Sequence, residues 1–164
     1  MTAFAPRFLP DEEAMLSMGQ QLARAILRSE LAASRGFQIN LIGDLGAGKT
    51  TLVRGVLRGL GYAGRVKSPT YPLLETYAVD DLVVAHFDLY RLESPDAFTE
   101  AGFEEYFSGP GLRFIEWPNR AGARLPHADW CVRLVEGPQE AGGRVLSVDA
   151  LTPAGITLQE CLSS

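Results

Sequence analysis

The chain has 164 residues, 46% of them hydrophobic, and its 15 Lys and Arg stand against 20 Asp and Glu for a net charge of −5. That length fits one domain, residues 1–164, able to bury roughly 70% of the surface its unfolded chain exposes. The acidic balance excludes a protein that grips nucleic acid mainly by neutralising phosphates, so any RNA contact is expected to be shared with a partner.

Cys131 and Cys161 lie far apart without a CxxC spacing or a histidine cluster, which points to reduced thiols rather than a disulfide framework or a zinc site. The N-terminus lacks the basic flank and apolar core of a signal peptide, and no apolar run approaches the ~20 residues that span a bilayer. A cytoplasmic protein with no membrane attachment is expected.

In chain order, Asp11 followed by Glu12 and Glu13 predicts a helix start, because an Asp oxygen caps free N–H groups and acids favour the positive end of the helix dipole. Met15, Met18, Leu22 and Ile26 then recur at helical spacing as a core stripe. FQINLI, after Arg35-Gly36, reads as a buried strand, and TTLVRGVLRGLG as a helix closed by Gly61. SPTYPLLETYAV reads as an extended segment leading into a strand, with Pro72 stiffening it and a turn at Asp80-Asp81. LVVAHF is a further strand. Ser94-Pro95 caps a helix that AFTEAGFEEYF carries to Gly109-Pro110-Gly111. LRFIE is another buried strand. WPNRAGARLP is a loop, WCVRLVE and RVLSVDAL form a hairpin, and a weak helix closes the chain.

Between FQINLI and the next helix stands GDLGAGKT, which matches G-x-x-x-x-G-K-[ST] from Gly43 to Thr50. Glycines in such a loop let consecutive backbone N–H groups of Asp44, Leu45, Gly46, Ala47 and Gly48 turn toward phosphate oxygens, and the helix N-terminus adds partial positive charge. Lys49 would reach the β- and γ-phosphates, Thr50 would place its hydroxyl on Mg²⁺, and Thr51 would add a contact to the α-phosphate.

A magnesium triphosphate calls for acids at neighbouring strand ends, and Asp88 and Glu116 both follow apolar runs. One would hold the metal while the other orients or deprotonates an attacking water; on spacing alone either assignment stands. His86 shares a strand face with Asp88, where a structural role suits it. Ser68, Thr70 and Tyr71 of SPTY have the position and polarity of a switch that senses the γ-phosphate, although their composition is also that of a plain loop. Trp117 either stacks on the nucleotide base or fills a core edge.

GDLGAGKTT, VKSPTY, HFDLYRL and IEWP, in this order, together with the LPDEE opening and the SPDAFTEAGFEEYF segment, resemble the TsaE family, also called YjeE. Its members are small bacterial P-loop ATPases required for threonylcarbamoyladenosine in tRNA. The resemblance covers roughly residues 8–126. It implies a three-layer α/β fold of the P-loop NTPase type with a mostly parallel sheet and, here, a C-terminal β-hairpin. It also implies ATP and Mg²⁺ as ligands, and action beside TsaB and TsaD, with tRNA reached only through that complex. The resemblance makes Lys49 and Thr50 the Walker residues, Asp88 the acid of hydrolysis, Glu116 a magnesium ligand and Asp11 a residue near the nucleotide.

Two rivals share the P-loop. A small-molecule kinase would need a basic lid, for which Arg120 and Arg124 are the only candidates. A nucleotide-dependent switch without essential turnover fits SPTY and HFDLYR as well as an enzyme does. No N/T-K-x-D segment appears, which argues against a guanine-specific GTPase. An open site with no lid implies an ATPase that is weak alone and activated by docking.

Overall fold

The computed structural model describes residues 4–71, 73–138 and 142–163. Pro72, expected to stiffen the SPTY loop, lies outside them. The elements are β1 (Arg7–Leu9), α1 (Glu12–Ser29), α2 (Leu31–Ser34), β2 (Phe37–Ile42), α3 (Lys49–Leu60), β3 (Leu74–Val79), β4 (Leu82–Asp88), α4 (Pro95–Glu100), β5 (Leu112–Glu116), β6 (Trp130–Glu136), β7 (Arg144–Ala150) and α5 (Pro153–Ser163). Short 3₁₀ turns cover Phe103–Phe107, Pro118–Arg120 and Gly122–Arg124.

The seven strands form one sheet in the order β1-β7-β6-β2-β5-β4-β3. Its centre, β6-β2-β5-β4, is parallel. The flanking pairs β1 with β7, β7 with β6, and β4 with β3 are antiparallel. The expectation of a mostly parallel sheet is therefore corrected: half of the pairings are antiparallel, namely the hairpins β3-β4 and β6-β7, whose short connections join only antiparallel neighbours, and the pair β1 with β7. The expected C-terminal hairpin is β6 and β7.

Alternation along the central strands divides the core between two faces. Phe37, Ile39, Leu41, Phe114 and Val132 pack with α1, α3 and α5, while Ala85, Phe87 and Ile115 pack with Phe98 of α4, Phe103 and Ala121. The predicted stripe of Met15, Met18, Leu22 and Ile26 is buried. Asp11 caps α1 by accepting from Ala14 N–H at 2.8 Å, and Gly61 ends α3 in the left-handed region at φ 104°. Ser94 caps α4 as expected, but the helix stops at Glu100 rather than running to Gly109. Gly102 adopts φ 75° there, which breaks the α-helix, and the chain resumes as a 3₁₀ turn. Strand β1 and helix α2 were not foreseen; each is too short to carry a period. Among the described residues no helix is long and apolar enough to cross a membrane.

Helices α1 and α3 touch backbone to backbone. A Cβ on Gly19 would stand 2.6 Å from Leu52 O, and one on Gly55 2.5 Å from Leu16 O. Glycine in a helix interior normally costs about 0.5–1 kcal/mol relative to alanine. Here the sign reverses, because the neighbour is rigid backbone. Gly55→Ala is expected to lower stability by about 1–3 kcal/mol, read as a drop in the urea midpoint without a change of slope.

Candidate functional site

The site lies where β2, β4 and β5 end side by side. In the parallel register Leu41 is paired with Glu116, and Glu116 with Asp88, so the two predicted acids are neighbours across one strand gap. Residues 43–48 leave β2 and turn back at once: Ala47 N–H donates to Asp44 O at 3.0 Å, and Gly46 and Gly48 have φ of 78° and 100°. Helix α3 begins at Lys49, and Leu52 N–H donates to Gly48 O at 2.9 Å. Its N-terminus is thereby directed at the loop, with Thr50 and Thr51 in the first turn.

Lys49 is only 5% exposed, and its Nζ folds back over the loop to donate to Gly43 O at 2.5 Å. The same Nζ stands 3.8 Å from Glu116 Oε1 and 4.4 Å from the centroid of the Trp117 ring. Burying an ammonium is costly unless it is paired, and here a carbonyl, a carboxylate and an aromatic face surround it. On its other side Trp117 lies against Tyr90 at 5.0 Å, and the Arg120 guanidinium lies 5.6 Å over Tyr90. The structure thus seats Trp117 against the lysine. It also lines a cleft of about 600 Å³ beside the loop, with Asp44, Leu45, Asn119, Arg133 and Arg144.

Glu116 is buried, and its Oε2 lies 2.5 Å from His86 Nε2. Asp88 is half-buried, and its Oδ1 accepts from Tyr90 N–H at 3.1 Å. Burial pushes the Asp88 carboxyl above the usual carboxylate range, and the neighbouring Glu116 charge pushes it further; the Tyr90 N–H, His86 and Lys49 pull the other way.

The SPTY segment is tied to both halves of the site. Ser68 Oγ and Thr50 Oγ1 share a hydrogen bond of 2.6 Å, and Leu73 accepts Asp88 N–H at 3.0 Å after its own N–H meets Thr70 O. Tyr71 is 82% exposed. Leu73 and Trp117 both adopt positive φ, 76° and 57°, a conformation that costs a bulky residue about 1–2 kcal/mol and clusters at functional sites. Asp11 sits at the start of α1, where its carboxylate is occupied by the helix cap.

Residues the sequence did not single out complete the picture. His86, read as structural, touches Glu116; its position two before Asp88 was the available signal. Arg144 Nη2 donates to Gly46 O at 3.2 Å and braces the loop from β7. Nothing in sequence could reveal it, because the contact is made across 98 residues. Cys131 is buried and its thiol is pushed up by that burial, which suits an inert core cysteine.

As a donor set, Thr50 and Glu116 supply hard oxygens suited to Mg²⁺, which is usually held by one or two carboxylates, phosphates and water. Among the described residues no group of three or more His, Cys, Asp or Glu could form an all-protein cage.

A strand, a glycine-rich turn and a helix N-terminus, set in a parallel core with acids at the adjacent strand ends, define an α/β protein of the P-loop type. Residues 9–145 match the family model described as threonylcarbamoyl adenosine biosynthesis protein TsaE. The chain belongs to the TsaE family. It is 42% identical over 128 residues to the tRNA threonylcarbamoyladenosine biosynthesis protein TsaE of Haemophilus influenzae, covering 78% of this chain and 80% of that one. It is 41% identical over 118 residues to the protein of the same name from a Synechocystis species, covering 69% of each. The crystal structure of Bacillus subtilis YdiB matches its fold with a TM-score of 0.77 at 26% identity, over 99% of this chain and 97% of that one.

The raised Asp88 carboxyl has a sign that can be checked. Its folded form holds the proton more tightly than the unfolded chain does, so stability falls as pH rises from the unfolded value through the folded one. Asp88→Asn, which keeps an acceptor for Tyr90 N–H, should raise the melting temperature of the nucleotide-free, magnesium-free protein at pH 7. The gain should vanish below pH ~3.9, the ordinary aspartate value. A scan of melting temperature against pH for both proteins reads this directly.

Proposed function

We propose that this chain binds ATP with Mg²⁺ and hydrolyses it in support of threonylcarbamoyladenosine formation in tRNA, acting in the cytoplasm beside TsaB and TsaD. The observation that carries the reading is the meeting of Lys49, Glu116 and Asp88 at the mouth of the glycine loop. Backbone N–H groups of residues 44–48 and the start of α3 cradle the phosphates, with Lys49 addressing the β- and γ-phosphates and Thr51 the α-phosphate. Thr50 and Glu116 hold Mg²⁺, which neutralises charge on the phosphate oxygens. Asp88 orients the attacking water, and its raised affinity for a proton suits it to accept one. Asp11, as the cap of α1, supports the nucleotide site indirectly. Trp117 borders the base cleft while holding Lys49 in place.

The kinase reading loses its lid: Arg124 pairs with Asp96 at 2.7 Å, and Arg120 rests on Tyr90. The switch reading keeps a specific support in the Thr50–Ser68 hydrogen bond. Thr50, which would hold Mg²⁺, is thereby linked through Ser68 to the SPTY segment, where Tyr71 faces outward. Occupancy and turnover are then coupled, and a partner surface over this loop would close an otherwise open site.

Lys49→Ala should weaken ATP binding by at least about tenfold in calorimetric titration. Asp88→Ala should bind ATP normally yet lose most hydrolysis, whereas Glu116→Ala should lose the dependence of binding on Mg²⁺; the opposite pattern exchanges the two roles.

Phosphate release should be slow for the purified chain and should rise on adding TsaB and TsaD. Tyr71→Ala is expected to blunt that rise while leaving nucleotide affinity within about threefold. Full turnover by the chain alone would refute partner activation.

A further inference from the structure

The two oxygens of Glu116 face different neighbours. Oε2 lies 2.5 Å from His86 Nε2, and Oε1 faces Lys49 Nζ at 3.8 Å. His86 is completely buried near the end of β4. An imidazole with a proton on Nε2 donates to the carboxylate, whereas a ring lacking that proton would set lone pairs against each other. The remaining ring nitrogen, Nδ1, is buried with no hydrogen-bond partner among the described residues. A buried polar atom left in this state is unfavourable, so a role in packing alone gives no reason for an imidazole here. The ring's polar attachment is Glu116.

A carboxylate with one oxygen held by a hydrogen bond in the core offers the other more freely to a cation. Mg²⁺ demands near-ideal octahedral geometry and keeps several waters, so one carboxylate oxygen satisfies it. Ca²⁺ takes about six to eight oxygens and readily draws on both oxygens of a carboxylate. The geometry points to His86 as a positioning residue that holds Glu116 to one-oxygen service and so biases the nucleotide site toward Mg²⁺ over Ca²⁺. This rests on the reading of Glu116 as a metal ligand. His86 acts through Glu116 and touches neither nucleotide nor metal, much as outer-shell partners fix the ligands of other metal sites.

Two measurements test it. ADP binding is titrated calorimetrically in Mg²⁺ and in Ca²⁺ for the wild type, His86→Gln and His86→Leu. Glutamine can place an N–H near the position of Nε2 and should keep the preference for Mg²⁺; leucine should reduce the Mg²⁺-to-Ca²⁺ affinity ratio at least about fivefold. An unchanged ratio in a folded leucine variant overturns the inference while leaving the nucleotide reading intact. Failure of the wild type to bind ADP with either ion overturns both.

The second measurement needs no ligand and no folded variant at position 86. Nitrogen NMR of the two histidines in metal-free, nucleotide-free wild type should show a proton on His86 Nε2, with its resonance displaced by Glu116→Gln and that of His127 unmoved. A His86 ring lacking the Nε2 proton, or one indifferent to Glu116→Gln, overturns the assignment.

Discussion

The site depends on an ammonium group kept almost out of water. Burying an unpartnered ammonium is costly, and the partners of Lys49 come from two separate parts of the chain: Gly43 O from the loop, and the adjacent Glu116 and Trp117 at the end of β5 and the turn that follows. Breaking one member of a buried pair typically costs about 3–5 kcal/mol, because the other charge is left uncompensated. The glycine loop, the end of β5 and the left-handed Trp117 are therefore constrained together. What looks like a binding motif is also a structural joint.

That joint can form only if three strand ends and one helix start converge, and the fold supplies both conditions. The parallel pairing of β2 with β5 and of β5 with β4 brings Leu41, Glu116 and Asp88 into one row at the carboxyl edge. In open α/β sheets this edge is where ligands bind, since helix N-termini point back at it. The start of α3 is located by the loop and by its contact with α1, where Gly19 and Gly55 allow the two backbones to meet. Met15 adds to this from α1: a Cβ on Gly48 would stand 2.8 Å from its Cε, so the loop is pressed against the core helix as well as against β7. Side chains placed this firmly can hold a phosphate cradle in shape without waiting for the ligand to organise it.

Much of this could be read before the structure. Strands β2, β4, β5, β6 and β7 announce themselves as apolar runs, and Gly61, Asp11 and Ser94 mark helix ends through local backbone chemistry. Such signals lie within a few residues of their effect. What stayed hidden depends on distant partners. One of the three antiparallel pairings has β1 reaching β7, which no pattern in a three-residue strand can disclose. The break at Gly102 was missed because a lone glycine in a helical pattern is often tolerated. In the site, GDLGAGKT and the two acids were legible, whereas the Arg144 brace, the Lys49–Trp117 contact and the His86–Glu116 pair need the register of strands far apart in sequence. Asp11 was legible as a helix cap, because that role is set by the residues beside it.

The pairing of Asp88 with Glu116 explains how two acids at one edge can have different chemistry. Placed alone in a half-buried cleft, neighbouring carboxylates repel, and one of them tends to take up a proton. Here the compensation is unequal. Glu116 has Lys49 beside one oxygen and His86 against the other, so it is deeply buried yet supplied with partners. Among the described residues the Asp88 carboxylate has only the Tyr90 N–H at hydrogen-bond distance, and it feels burial and the Glu116 charge more than its partners relieve them. The same strand register that makes them neighbours therefore raises the proton affinity of Asp88. A fixed, partnered carboxylate suits a cation, and a less compensated, half-buried one suits a water that must lose a proton. Because Asp88 N–H is also bound to Leu73, just past SPTY, any surface that moves this loop acts first on the acid whose protonation is most finely balanced.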